Sequence, residues 1–275
     1  MNRLKFHLLV SVILAAVLMI GTHGFAADNL VIKGSTTVLP IAQAAGEAFM
    51  KKNPGVNVSI SGGGSGDGIK ALIDKTTDIA DSSRDIKPEE AQLADSKGVK
   101  PKAHEIAYDA IVPIVNPANK IMDLTVEQLS LIYQGKIENW KELGGADKKI
   151  TVVSRDTSSG TYETWENKIL HKAKVTPRAQ LQASNGAVVQ AVSKNKYAIG
   201  YIGLGYLNKT VKGLKVNGIE ATPETAITGK FPVSRPLYMF TNGEPAGQAA
   251  MFISFLLSKE GQAIVKKEGF VPIKK

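Results

Sequence analysis

The chain has 275 residues, 34 lysines and arginines against 25 aspartates and glutamates, a formal net charge of +9, and no cysteine. The missing cysteine excludes disulfides, thiol catalysis and a lipid-modified N-terminal cysteine. The basic balance is compatible with nucleic acid or anionic membrane, but the lysines are dispersed, with no dense run and little aromatic interleaving, which reads as a solvated surface.

Residues 1–26 read as a secretory signal peptide. Arg3 and Lys5 form a positive n-region, Leu8 to Ile20 an apolar core, and Gly24-Phe25-Ala26 a small-x-small cleavage site. That core is shorter than the roughly 18–20 apolar residues of a membrane span. Removing the segment leaves 32 basic and 25 acidic residues, a net charge of +7. A soluble periplasmic chain is the expectation.

"NLVIKGS" predicts a strand ending in a small polar turn, and "TVLPIAQAAGEAFMKKNPG" has apolar residues at helical spacing up to Asn53-Pro54-Gly55. Val56, Val58 and Ile60 alternate as a second strand before "SGGGSGDG" opens a helix, and "TDIADSSRDIKPEE" repeats the plan. "HEIAYDAIVPIVNP" predicts one long strand with a polar break at Asp109. "TVEQLSLIYQG" and "ENWKELGG" predict a helix and a glycine-ended turn, and "KKITVVSRDTSSGTYETWENKIL" another strand, loop and helix. "SNGAVVQAVSKNKYAIGYIGLGYL" gives a capped helix then a strand, "RPLYMFTN" an extended segment, and the end from Pro245 is helical. Strands alternating with helices predict an α/β architecture with largely parallel pairing.

Four of the strand-to-helix loops are "GSTT", "GGGSGDG", "SSRD" and "RDTSSGT". Such loops lie beyond the carboxyl ends of strands, where α/β sheets collect ligands, and helix N-termini there favour anions. In "RDTSSGT", Arg155 supplies a planar fork, Ser159 and Thr161 supply hydroxyls, and Gly160 allows close backbone approach; Ser158 or Ser159 serves equally as a plain helix cap. Enzyme motifs fail at specific positions. Gly63 and Gly68 have P-loop spacing, but Ile69 stands where the lysine is needed. A nucleophile elbow around Ser65 fails because position 67 is Asp. Outside the leader the histidines are His104 and His171, neither beside a partner, so no base or zinc site is read.

Beyond the leader, the whole chain resembles the phosphate-binding component of bacterial high-affinity phosphate ABC transporters. The carrying motifs are "GSTTVLPIA", "GGGSGDGI", "DIADSSR", "AYDAIVPIVNP", "GKIENWKELGG", "VVSRDTSSGT", "NGAVVQAVSKNKYAIGYIGLGY" and "RPLYMF", in family order. The resemblance implies an α/β, two-lobed periplasmic binding protein fold of type II. Each lobe would hold a mixed, mostly parallel sheet flanked by helices, and two strands would form the hinge. Lobe one would be 27–107 with 236–275, and lobe two 108–235. It implies phosphate binding by Ser35, Thr36, Ser65, Ser83, Arg84, Arg155, Ser159, Gly160 and Thr161, with Asp156 helping to hold Arg155. No catalytic residue, metal or cofactor is implied. The partners implied are inorganic phosphate and a membrane permease, with no nucleic acid, for a monomer. One departure is visible: well-known members carry an Asp ligand in the column of Ser83, and some members share the Ser-Ser-Arg form. That Asp accepts the proton of phosphate and repels sulfate, so preference for phosphate is expected to be weaker here, unless Asp67 or Asp81 replaces it. The rival readings are a binder of sulfate, molybdate or arsenate, and a secreted phosphatase-like or adhesive protein on the same scaffold.

Overall fold

The structure, a computed structural model, describes residues 28–273; the expected signal peptide lies outside them. The first lobe-forming run alternates β1 (Asp28–Gly34), α1 (Leu39–Lys52), β2 (Val56–Gly62), α2 (Ser65–Ile73), β3 (Ile79–Ser82) and α3 (Pro88–Ser96). β1 lies between β2 and β3, parallel to both, with Gly34 opposite Gly62 and Asp81. Because the three strands end level, the loops beginning at Ser35, Gly63 and Ser83 emerge at one edge of the sheet.

The chain then crosses in one 15-residue strand, β4 (Pro101–Val115). It starts earlier than the apolar pattern predicts, because Pro101 to Glu105 pair with the returning strand rather than filling a core. β5 (Asp123–Leu124), α4 (Val126–Gln134), β6 (Thr151–Arg155), α5 (Gly160–Lys168), β7 (Gln180–Gln182), α6 (Asn185–Lys194) and β8 (Ala198–Gly203) follow. β6 runs parallel to β7 and β8, with Arg155 opposite Gln182. Short strands β9 (Lys212–Gly213) and β10 (Lys215–Val216) and helix α7 (Pro223–Ile227) lead to β11 (Ser234–Asn242), then α8 (Gly247–Leu257), α9 (Lys259–Lys267) and β12 (Val271–Pro272). The final helical stretch is two helices, not one. Ser258 ends α8 and caps α9, its hydroxyl accepting from Gly261 N–H at 3.3 Å.

The expected parallel pairing holds at the outer strands, while the strands joining the halves are antiparallel. β11 pairs with both β3 and β4, and β4 continues along β8. The two largest buried clusters lie one in each half. Leu30, Ile32, Val38, Ile41, Phe49, Ile79, Leu237, Met239 and Phe252 pack between the first sheet half and α1, α8 and α9. Tyr133, Trp140, Trp165, Tyr201 and Phe231 anchor the second, where Trp165 stacks on Tyr201 at 4.4 Å between ring centres. Two lobes built on two cores thus meet where β4 and β11 cross, at Asp109 opposite Arg235. The loops from both sheet edges face each other there.

Candidate functional site

Four helices begin at this junction. α1 and α2 rise from the first lobe, α5 and α6 from the second. Their first N–H groups have no intrahelical partner and carry partial positive charge. The hydroxyls around them are arranged as donors. Ser35 Oγ accepts from Thr37 N–H (3.1 Å), Ser65 Oγ from Ser83 N–H (3.0 Å) and Ser159 Oγ from Tyr162 N–H (3.3 Å). Each oxygen accepts one hydrogen bond and has its own hydrogen to place, although Ser65 Oγ also lies 3.3 Å from Ser83 Oγ, where either hydroxyl can donate.

The lobes are in contact across the cleft. Gly66 N–H donates to Ser158 O (3.0 Å), Thr37 and Thr161 hydroxyls lie 2.9 Å apart, and Tyr206 OH donates to Thr36 O (2.5 Å). Gly160 faces Ser65 and Ser83 so closely that a Cβ there would lie 2.4 and 2.8 Å from their hydroxyl oxygens. Gly64, at φ +152°, leaves no room for a Cβ beside Ser158. Glycine at these two positions is what lets the loops meet.

Ser35, Thr36, Ser65, Ser83, Arg155, Ser159 and Thr161 are all buried with Gly160 at this junction. Arg155 ends β6, only 1% exposed. Its Nε donates to Gln182 O (2.9 Å) and Nη2 to Ala183 O (3.0 Å), which aims the fork; Nη1 is buried with no partner. Burial pushes its pKa below the usual guanidinium range, with Asp156 opposing; arginine stays charged regardless. A buried cationic donor without an acceptor is costly unless an anion completes it.

Arg84 departs from expectation. Its Nη1 and Nη2 form a fork on Glu90 (2.8 and 2.7 Å), Nη1 also donates to Asp85 O, and Nε faces Glu163 at 2.6 Å. That last approach is an ion pair off the hydrogen-bond axis. The guanidinium is thus consumed by carboxylates rather than offered to an anion. Asp156 also acts differently: its carboxylate accepts from the N–H and hydroxyl of Ser158 (3.0 and 2.5 Å), shaping the turn before α5. Asp67 is exposed on the first turn of α2. Asp81 is buried, with one carboxyl oxygen unpartnered.

Sequence reasoning missed a second set. Arg235, on β11, donates from Nε and Nη2 to Asp109 (3.0 and 2.8 Å) and from Nη1 to Ser83 O (3.1 Å). Its Nη2 also reaches Thr37 and Thr161 (3.2 and 3.1 Å). Burial drives Asp109 up and Arg235 down, each opposed by the other. Asn185 reaches Thr36 and Thr37 from the second lobe. The legible signals were the polar break at Asp109, the GSTT loop that holds Thr37 and the helix start that holds Asn185; nothing marked Tyr206.

The match to known proteins covers the chain. The model of a PBP superfamily domain matches residues 21–260. The phosphate-binding protein PstS of Borreliella burgdorferi is 38% identical over 255 residues, 88% of this chain and 89% of that protein. PstS of Bacillus subtilis is 34% identical over 90% of this chain and 82% of its own length. Among solved structures, a Clostridium perfringens protein assigned as a phosphate ABC transporter substrate-binding protein, with bound phosphate, is 40% identical at a TM-score of 0.84. It is covered whole, against 90% of this chain. An ABC-type phosphate transport receptor from Vibrio cholerae is 32% identical at a TM-score of 0.74, covered whole against 89% of this chain.

Proposed function

The chain belongs to the PstS-type phosphate-binding proteins of the PBP superfamily, and from that premise we propose that it captures inorganic phosphate between its lobes and delivers it to an ABC transporter permease. The observation that carries this is Arg155 Nη1, a buried cationic donor lacking an acceptor, amid hydroxyls that keep hydrogens to give. A tetrahedral oxyanion presents several acceptors to a site that offers a cationic donor and hydroxyl hydrogens, and charge-assisted hydrogen bonds of this kind are the strong ones.

The ligands proposed are Ser35, Thr36, Ser65, Ser83, Arg155, Ser159, Gly160 and Thr161. Arg84 is proposed as a cross-cleft pair rather than a ligand. The lobes are proposed to divide at 107/108 and 235/236; the two cores and the long strands joining them support that division. The protein is proposed to act as a monomer in the periplasm after removal of residues 1–26, as a binder and not an enzyme. No helix among the described residues is long and apolar enough to cross a membrane. Calorimetric titration with phosphate, and with sulfate, arsenate and molybdate in competition, tests the reading. Tighter binding of another oxyanion than of phosphate would replace the ligand while keeping the site.

A further inference from the structure

Hydrogen-bond accounting at the centre of the cleft leaves one arrangement in which no hydroxyl accepts more than two hydrogens. Asn185 Oδ1 accepts from Gly203 N–H (3.1 Å), which fixes the amide so that Nδ2 points at Thr36 (3.3 Å) and Thr37 (3.1 Å). One Nη2 hydrogen of Arg235 goes to Asp109, and the other is shared between Thr37 and Thr161. Thr37 Oγ1 therefore already accepts from Asn185 and Arg235. A hydroxyl has two lone pairs and one hydrogen, so Thr37 must donate, and Thr161 Oγ1 at 2.9 Å is the acceptor within reach. In the reverse direction, Thr37 would face three incoming hydrogens while its own met no acceptor. Thr161, receiving from Thr37 and Arg235, then has its lone pairs filled and one hydrogen left to give. Thr36, receiving from Asn185 alone, keeps one lone pair as well as its hydrogen.

We propose that Arg235, Asn185 and Thr37 form a positioning relay that fixes the polarity of the cleft, making Thr161 an obligatory donor toward the oxyanion. The proposal rests on the phosphate-binding reading and adds to it. Thr37 is the relay point, joining α1, β11, α5 and α6 only when the lobes are together, so the donor is set as the cleft closes. Such chained bonds strengthen one another in a low-dielectric interior.

A double-mutant cycle tests it, read by calorimetric titration with inorganic phosphate. Thr37→Val, which keeps shape and loses the hydroxyl, is expected to weaken binding about tenfold. Thr37→Ser, which restores a hydroxyl, is expected to bind within about twofold of the parent. Thr161→Val is expected to cost at least about tenfold, and Thr37→Val added to it should cost nothing further, because the relay has no terminus. A Thr37→Val penalty of the same size with and without Thr161 marks a merely structural threonine and overturns the relay. If Thr37→Val fails to fold by circular dichroism, Thr37→Ala carries the same expectation. If phosphate does not bind the parent, the phosphate reading falls, and the cycle is run with sulfate or arsenate. Non-additivity there upholds the relay, and additivity, or no binding of either, ends it.

Discussion

Glu163 meets Arg84 across the cleft, Oε2 to Nε at 2.6 Å, with Lys87 on its other oxygen at 2.7 Å. Glu163 belongs to the second lobe's α5 and both cations to the first lobe, so the cluster exists only when the lobes touch. Burial raises the Glu163 pKa above the usual carboxylate range, against the pull of Lys87 and Arg84. Removing one member of a buried pair strands the other, whereas removing both is often close to neutral. Arg84→Ala is therefore expected to weaken phosphate binding by about tenfold, and Arg84→Ala with Glu163→Gln to recover most of that loss. Were Arg84 instead a direct phosphate ligand, the second substitution would recover nothing. Titration calorimetry on the parent and the two variants decides between them.

Arg155→Ala is expected to lower phosphate affinity by at least about tenfold, since a hydrogen bond to a charged group is worth roughly 1.5–3 kcal/mol. Arg155→Lys should recover only part of this, because an ammonium cannot hold Gln182 O and Ala183 O and still present a third donor at the Nη1 position. Arg178→Ala is the control. Arg178 lies in a loop after α5, more than half exposed, and pairs with Glu138 on the surface. Surface pairs of this kind contribute little. Equal losses at Arg155 and Arg178 would remove Arg155 from the site.

Closure is expected to depend on the ligand. The donors that face one another come from both lobes, and their cross-cleft bonds run through Gly66, Thr37, Thr36 and Ser158. Without an anion, the buried Nη1 of Arg155 has nothing to repay its desolvation in the closed form. Small-angle scattering should then show a larger radius of gyration for phosphate-free protein than for the complex. The same radius in both, with binding confirmed, would mean the lobes stay together without ligand.

What was legible in the sequence follows from local chemistry. The level ends of β1, β2 and β3 could be anticipated because each apolar run stops at small polar residues or glycine, and those loops carry Ser35, Ser65 and Ser83. Arg155, Ser159 and Thr161 share one loop, so their association was also local. Arg84 misled because adjacency to Ser83 says nothing about where a long side chain goes. Its partners Glu90 and Glu163 come from different helices, one of them in the other lobe. Arg235 and Asn185 were invisible as cleft residues for the same reason. Their roles depend on β4 and β11 crossing at Asp109, a contact across 126 residues.

Asp81 sits on β3 beneath the first loop: Ser35 N–H donates to its carbonyl at 2.8 Å, and Gly34 lies opposite it. Its carboxyl is buried, one oxygen has no partner, and burial pushes its pKa well above the usual carboxylate range. A raised pKa means the folded protein holds a proton that the unfolded chain releases near pH 3.8. Stability from this group is thus present at acid pH and is lost as pH rises from there through the folded-state value. Asparagine has no such proton to lose. Asp81→Asn is expected to raise the melting midpoint of phosphate-free protein at pH 7 by several degrees, corresponding to about 1–3 kcal/mol. The gain should shrink toward pH 4. Parallel stability profiles from pH 4 to pH 8 would mean Asp81 titrates normally. The same variant separates two accounts of selectivity. A carboxyl whose pKa is raised by burial holds its proton more tightly, so it repels sulfate less than a fully ionised acceptor would. Sulfate should therefore compete measurably with phosphate in the parent, equally well after Asp81→Asn, and less after Ser83→Asp, which puts an acceptor at the cleft. Stronger sulfate competition after Asp81→Asn would instead identify Asp81 as the acceptor that the cleft otherwise lacks.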